Sequence, residues 1–252
     1  MRLTVLGGAA ASPNPGQGCS SYLVESDGVR VLLDCGSDTF STLRSVTDFR
    51  AIETILISHV HSDHTLDLVP YRYGLKYAPG GPSRPIPLWM PPGGEDFLHG
   101  LAAAFSTNAD EVRSFFDVFA VREYDPQRPA EIGPFAIRFH RTKHFIPCWA
   151  MRLEMDGRSL VYLADTGPDQ ALVDFSRDAD LLICEGTHIN PPPEPAGHLT
   201  ARQAGEIAAA AGARKLLLTH LWAELGFDRY RQEAESVFSP VVIAEPKLVI
   251  EV

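Results

Sequence analysis

No two cysteines in this sequence stand close enough to suggest a metal clip or a redox pair. There are four, Cys19, Cys35, Cys148 and Cys184, with no CxxC spacing among them. Cys35 and Cys184 follow apolar runs, where a free thiol behaves as a small hydrophobe, so reduced, structural cysteines are expected. Long hydrophobic runs are missing too, and none approaches the ~18 residues of a membrane span. The N-terminus, Met1-Arg2-Leu3-Thr4-Val5-Leu6, runs from a strand into a glycine turn without the pattern of a secretion signal. These absences predict a cytoplasmic protein with no membrane partner. Positive charge is also short: 22 Lys and Arg face 32 Asp and Glu, for a formal charge of −10. A broad nucleic-acid surface needs clustered cations, so no stable nucleic-acid complex is expected. A small anion is still compatible, because bound divalent metals invert the local field.

What is present is ordinary globular material: 45% hydrophobic and 21% charged residues over 252 positions. The 20 Gly and 20 Pro gather in loops and form no repeat. One domain spanning residues 1–252 is the expected organisation.

The chain is organised around Ser58-His59-Val60-His61-Ser62-Asp63-His64. The apolar run Thr54-Ile55-Leu56-Ile57 before it is short and β-branched, and reads as a buried strand. His59 and His61 are two apart and face one way if the chain stays extended. Asp63 and His64 then fall on the turn into a helix. One short segment can thus aim two ligands at one metal and two at another, and three histidines with a carboxylate in six positions predict a metal site.

Strands are expected at Leu3–Leu6, Ser21–Glu25, Val29–Asp34 and Thr54–Ile57, the middle pair joined by the hairpin signal Asp27-Gly28. A short edge strand is read within Pro85–Met90, followed by strands at Val118–Glu123, Phe135–His140, Trp149–Met155, Ser159–Ala164, Leu181–Cys184, Lys215–Thr219 and Leu248–Glu251. Helices are expected over Thr39–Phe49, Leu66–Tyr77, Glu95–Phe116, Pro168–Phe175 and Arg229–Phe238. Another, Ala-rich, opens on the capping box Thr200-Ala201-Arg202-Gln203 and stops at Gly212. Tyr71, Tyr73 and Tyr77 can pack internally or at a dimer contact, so a homodimer is one expectation. The pattern predicts an α/β protein: two mostly antiparallel sheets with helices on their outer faces, a four-layer αββα sandwich.

Four side chains cannot close two metal sites, and the missing ligands should stand at strand ends. Asp165 and His220 are the candidates, with His144 competing against His140. Asp34, also at a strand end, reads as a hydrogen-bonding brace for the histidine loop. His99 and His188 lack that context and read as surface or packing residues.

These pieces resemble the metallo-β-lactamase superfamily, and within it the ribonuclease Z-like phosphodiesterases. The matching segments are Leu6-Gly7-Gly8-Ala9-Ala10, Ser20-Ser21-Tyr22-Leu23, Leu33-Asp34-Cys35-Gly36, the HxHxDH segment, His144, Ala164-Asp165-Thr166, Cys184-Glu185-Gly186-Thr187-His188, Gly197-His198-Leu199-Thr200-Ala201 and Leu218-Thr219-His220. The resemblance implies the metallo-β-lactamase fold. It implies His59, His61 and His144 on one metal, Asp63, His64 and His220 on the other, and Asp165 between them. It also implies that Glu185 orients His198 toward the scissile phosphate, a task that suits a carboxylate-steered imidazole.

One departure bears on substrate. Ribonuclease Z enzymes carry a long transfer-RNA-gripping arm between the third histidine and the bridging aspartate. Here only the hairpin Phe145–Ala164 lies between them. Leu221-Trp222-Ala223-Glu224 also lacks the Ser/Arg stretch expected after the last histidine. The expected activity is therefore hydrolysis of a small phosphodiester, most readily a cyclic nucleotide such as cyclic AMP, by a hydroxide bridging two divalent metals, with Asp63 orienting it. Zinc suits the ligands, with manganese or iron as alternatives. An RNA endonuclease and a lactone or thioester hydrolase are the competing activities. The loops Pro79–Pro87 and Pro191–Gly197, with Phe145, Trp149 or Trp222, are expected to wall a compact pocket.

Overall fold

Alternation along the strands sorts the side chains into three cores. Leu3 and Val5 face one way and Leu6 the other; Leu160 and Tyr162 likewise oppose Val161 and Leu163. One apolar cluster fills the space between two sheets, and one lies between each sheet and its helices. The result is the helix–sheet–sheet–helix sandwich, seen here in a computed structural model that describes residues 1–80, 84–193 and 196–252.

The first sheet contains β1 (Arg2–Gly7), β2 (Ser21–Ser26), β3 (Val29–Leu33), β4 (Thr54–Leu56), β5 (Ile86–Met90) and β6 (Phe119–Glu123). The second contains β7 (Ala130–Ile132), β8 (Phe135–Arg141), β9 (Trp149–Met155), β10 (Arg158–Tyr162), β11 (Leu181–Glu185), β12 (Leu216–Thr219) and β13 (Val241–Ile243). The final strand, β14 (Val249–Glu251), returns to pair with β1. The orders are β14-β1-β2-β3-β4-β5-β6 and β13-β12-β11-β10-β9-β8-β7.

Neither sheet is mostly antiparallel, contrary to the sequence expectation. Pairings from β14 to β3 and from β7 to β10 are antiparallel, while those from β3 to β6 and from β10 to β13 are parallel. The division follows the connections, since a parallel pair needs a crossover and a hairpin does not. Helices α1 (Phe40–Val46), α2 (Ser62–Thr65), α3 (Leu68–Tyr77), α4 (Gly94–Ala104) and α5 (Ala109–Ser114) cross the parallel half of the first sheet. Helices α6 (Ala171–Phe175), α7 (Ala201–Ala211) and α8 (Phe227–Glu235) do so in the second. The parallel strands therefore end together along one rim, where open α/β sheets place their ligands.

Other differences have local causes. The strand expected at an edge, β5, lies between β4 and β6; its pairing with β4 covers only Leu88 and Trp89, so Pro87 needs no donor on that side. The long helix expected over Glu95–Phe116 is two, because the Asn108 side chain accepts from the Asp110 and Glu111 amides and starts α5 afresh. α1 is shorter than expected and is capped from elsewhere, with Asp67 Oδ2 accepting from the Thr39 and Phe40 amides at 2.7 Å. The capping box forms as expected, with both the Thr200 and Gln203 side-chain bonds present. Among the described residues no helix is long and apolar enough to cross a membrane.

Candidate metal centre

Five of the parallel strands deliver a polar side chain to the common rim. Asp34 follows β3, the histidine segment follows β4, Asp165 follows β10, Glu185 ends β11 and His220 follows β12. His144 follows β8, which runs in the same direction as β10. At three of these ends a residue other than glycine turns through left-handed backbone: Asp34 at φ 57°, Ala164 at 52° and His220 at 59°. Such turns cost on the order of 1 kcal/mol each, and here they aim side chains across the rim instead of along the strand.

The side chains converge in two groups. In the first, His61 Nδ1 lies 3.2 Å from His59 Nε2 and 3.0 Å from His144 Nε2. Asp165 Oδ2 approaches His59 and His144 at 3.6 and 3.8 Å. In the second, Asp63 Oδ2 lies 3.1 Å from His220 Nε2 and 3.4 Å from His64 Nε2. Asp165 belongs here too, with Oδ1 at 3.3 Å from His64 and Oδ2 at 3.5 Å from His220. Its carboxylate thus stands between the groups.

The donor set fits divalent metal ions. Nitrogens bound at 2.0–2.1 Å to a tetrahedral ion lie about 3.3 Å apart, close to the spacing found. His64 Nε2 is buried without a hydrogen-bond partner, as a nitrogen held for a metal would be. Burial lowers the basicity of His59, His61 and His144 and favours the neutral, ligating form, whereas at His64 burial is outweighed by the Asp165 and Asp34 carboxylates, which raise it. Burial works to raise the carboxyls of Asp63 and Asp165, but the surrounding imidazoles outweigh it and hold both below the usual range. Two anions in a buried pocket call for cations.

A second ring of contacts sets which nitrogen faces inward for four of the five imidazoles. His64 Nδ1 donates to Asp34 Oδ2 at 2.7 Å, and His59 Nδ1 to Ser58 Oγ at 3.0 Å. The Ser58 hydroxyl and the Tyr162 hydroxyl also donate to Asp34 Oδ2, at 2.7 and 2.6 Å. Asp34 is therefore the expected brace of the histidine loop, serving both groups. His144 Nδ1 donates to the Gly197 carbonyl at 2.9 Å. His220 Nδ1 donates to Thr187 Oγ1 at 2.7 Å, and that hydroxyl donates on to Glu185 Oε2 at 2.7 Å. Tyr162 and Thr187 escaped the sequence reading. Tyr162 is indistinguishable there from a core strand residue, whereas Thr187, two positions beyond Glu185, carried a signal by proximity.

Glu185 and His198 meet as expected, with Nδ1 donating to Oε1 at 2.9 Å. The carboxylate is buried and also accepts from the Thr166 and Leu199 amides at 2.7 and 3.2 Å. The His198 ring stacks on His220 with centroids 5.3 Å apart. Burial works to lower its pKa, but the Glu185 hydrogen bond and charge outweigh that and raise it to about 9.

Other candidates fall elsewhere. His140 packs on Phe175, His99 is exposed, and His188 lies with its ring 6.1 Å from His198. Trp149 is buried between the sheets, and Trp222 is half-buried. Tyr71 is buried, while Tyr73 and Tyr77 are exposed. Phe145 is exposed beside His144 and His198. The described residues of the Pro79–Pro87 loop do not wall the site: β4 and β5 are parallel, and they lie at the end of β5 opposite the histidines. Residues 81–83 of this loop, and residues 194–195 of the Pro191–Gly197 loop, lie outside the described residues.

Residues 29–221 match the model of the β-lactamase superfamily domain. The probable metallo-hydrolase YhfI of Bacillus subtilis is 31% identical over 242 residues, covering 95% of this chain and 94% of the relative. Its crystal structure, titled as a metallo-β-lactamase fold protein, superposes with a TM-score of 0.87 over 99% of this chain and 98% of that one, at 30% identity. A ribonuclease Z of Halorubrum lacusprofundi is 30% identical over 291 aligned positions, covering 94% of this chain and 92% of the relative. A diphosphatase of the PhnP family shares the fold, with a TM-score of 0.78 and 21% identity over 99% of this chain and 97% of that one. With its paired His/Asp groups on this scaffold, the chain belongs to the β-lactamase superfamily, as a metallo-hydrolase of the ribonuclease Z-like branch.

Proposed function

We propose that the protein hydrolyses a small phosphodiester, most readily a cyclic nucleotide such as cyclic AMP. In this reading His59, His61 and His144 hold one divalent ion, Asp63, His64 and His220 a second, and Asp165 serves both. The mixed imidazole–carboxylate set suits zinc, and manganese or iron share it. Such a pair of ions supplies positive charge to the phosphoryl oxygens and acidifies the attacking water.

The observation that carries the reading is the His198 imidazole, tied through Nδ1 to the buried Glu185 and laid against the rim of the second group. With Nδ1 committed, Nε2 is the atom left to donate to a phosphoryl oxygen or to protonate the departing alkoxide. Glu185 keeps the ring in that tautomer and favours its charged form, as a proton donor to an alkoxide requires. Asp63, beside His64 and His220, can accept a hydrogen bond from the attacking water and so aim it. Carbonyl chemistry on a thioester has less need of such a donor, because its thiolate leaving group departs without a comparable protonation.

Substrate size follows from what joins His144 to Asp165. That stretch is the hairpin β9–β10, turned at Asp156-Gly157, with no arm. The alignment with the ribonuclease Z relative runs to 291 positions, longer than this chain, so that relative carries segments with no counterpart here. The same relative motivates RNA cleavage as the second reading. Comparing kcat/KM for cyclic AMP and for precursor transfer RNA separates the two. Faster turnover of cyclic AMP is expected, and 3′-end cleavage of transfer RNA without cyclic nucleotide turnover would sink the proposal.

A further inference from the structure

Phe145 is a large apolar side chain left 64% exposed. Of the exposed large hydrophobics among the described residues, it is the one whose ring meets the histidines of the site. Its centroid lies 5.2 Å from that of His144 and 5.8 Å from that of His198. Tyr73 and Phe105, by contrast, gather around Phe115.

The ring is also held in place. Its Cε2 and Cζ atoms lie 2.4 Å from where a Cβ on Gly197 would stand, so it rests on backbone that only glycine leaves open. The carbonyl of the same Gly197 fixes His144. One residue therefore anchors both a ligand-type imidazole and the aromatic ring beside it. A Phe with two side-chain torsions, already seated, loses little entropy when something stacks on it.

Resting on the phosphodiesterase reading above, we propose that Phe145 is the specificity-determining platform for a planar aromatic ring, such as a nucleobase, carried by the ester bound at His198. Base–aromatic stacking of the usual strength corresponds to about 5- to 150-fold in affinity.

The test is binding, which does not require turnover. Adenosine monophosphate and ribose 5-phosphate carry the same phosphate on the same sugar and differ in the base. Titration calorimetry on the metal-loaded protein should show tighter binding of adenosine monophosphate by a factor in that range. Phe145→Ala should collapse the preference and Phe145→Tyr should keep it, with metal content unchanged in both. Retention of the full preference in Phe145→Ala, or no preference in the wild type, overturns the platform. If cyclic AMP is not hydrolysed yet the Phe145-dependent preference is measured, the platform stands and the substrate assignment alone fails.

Discussion

At the scale of single residues, the proposed reaction gives different tasks to the side chains that would hold metal and to one that would meet the substrate. His61 joins His59 and His144 through one nitrogen, so His61→Ala should remove a corner of the first group. Loss of bound metal together with activity is expected, read by elemental analysis of the purified variant. A full complement of metal in that variant would contradict the assignment. His198 differs, because its Nδ1 is spent on Glu185 and in the proposed reaction it serves as proton donor, not ligand. His198→Ala should lower kcat by roughly 10²–10⁴-fold, the usual contribution of general acid–base catalysis, without changing metal content. Metal loss there would move His198 into the ligand set. Histidine spacing marks His61 in the sequence, whereas His198 is marked by the resemblance to the ribonuclease Z-like phosphodiesterases. Neither could mark Tyr162, whose hydroxyl reaches Asp34 across 128 positions of chain.

At the scale of elements, α7 shows how packing overrides propensity. Gly205 lies inside this helix, where glycine costs about 1 kcal/mol relative to alanine. A Cβ there would stand 2.7 Å from Val237 Cγ2 and 2.8 Å from the Ala234 carbonyl, so α8 and the turn after it crowd that face. Gly205→Ala should therefore lower stability despite the better propensity, by about 1–3 kcal/mol as overpacked contacts do. Urea unfolding followed by circular dichroism would show it, and a rise in midpoint would contradict it. The same competition explains the boundaries that sequence periodicity misplaced. The apolar pattern over Glu95–Phe116 runs unbroken, and Asn108 divides it by a hydrogen bond that a periodic pattern does not register.

Across the whole molecule, the site is where the two sheets meet: the first supplies His59, His61, Asp63 and His64, the second His144, Asp165 and His220. Ions bound there would join the sheets, and their removal would leave Asp63 and Asp165 buried together. A ligand held only by the folded state stabilises it by mass action, about 2.7 kcal/mol at a hundredfold excess over its dissociation constant. Prolonged chelation should thus lower the melting temperature in scanning calorimetry, and zinc or manganese should restore it. An unchanged melting temperature, with metal loss verified, would mean that the sheets do not depend on the ions for their union.

The sequence by itself determined most of the strand runs (β7 and β13 escaped it), the capping box and the order of chemistry-bearing residues at strand ends. These are written in local periods and short spacings, and from them the fold class and the histidine segment were legible, while the choice of His144 over His140 and the division into two groups came from the family resemblance. The direction of strand pairing, the interior place of β5 and the bond from Tyr162 to Asp34 were decided only in three dimensions. Each depends on which distant segments become neighbours, and no local period records that. Phe145 marks the boundary between the two. The sequence offered it as one aromatic among several, and the missing Cβ of Gly197, 52 positions away, gave its ring a seat beside His198.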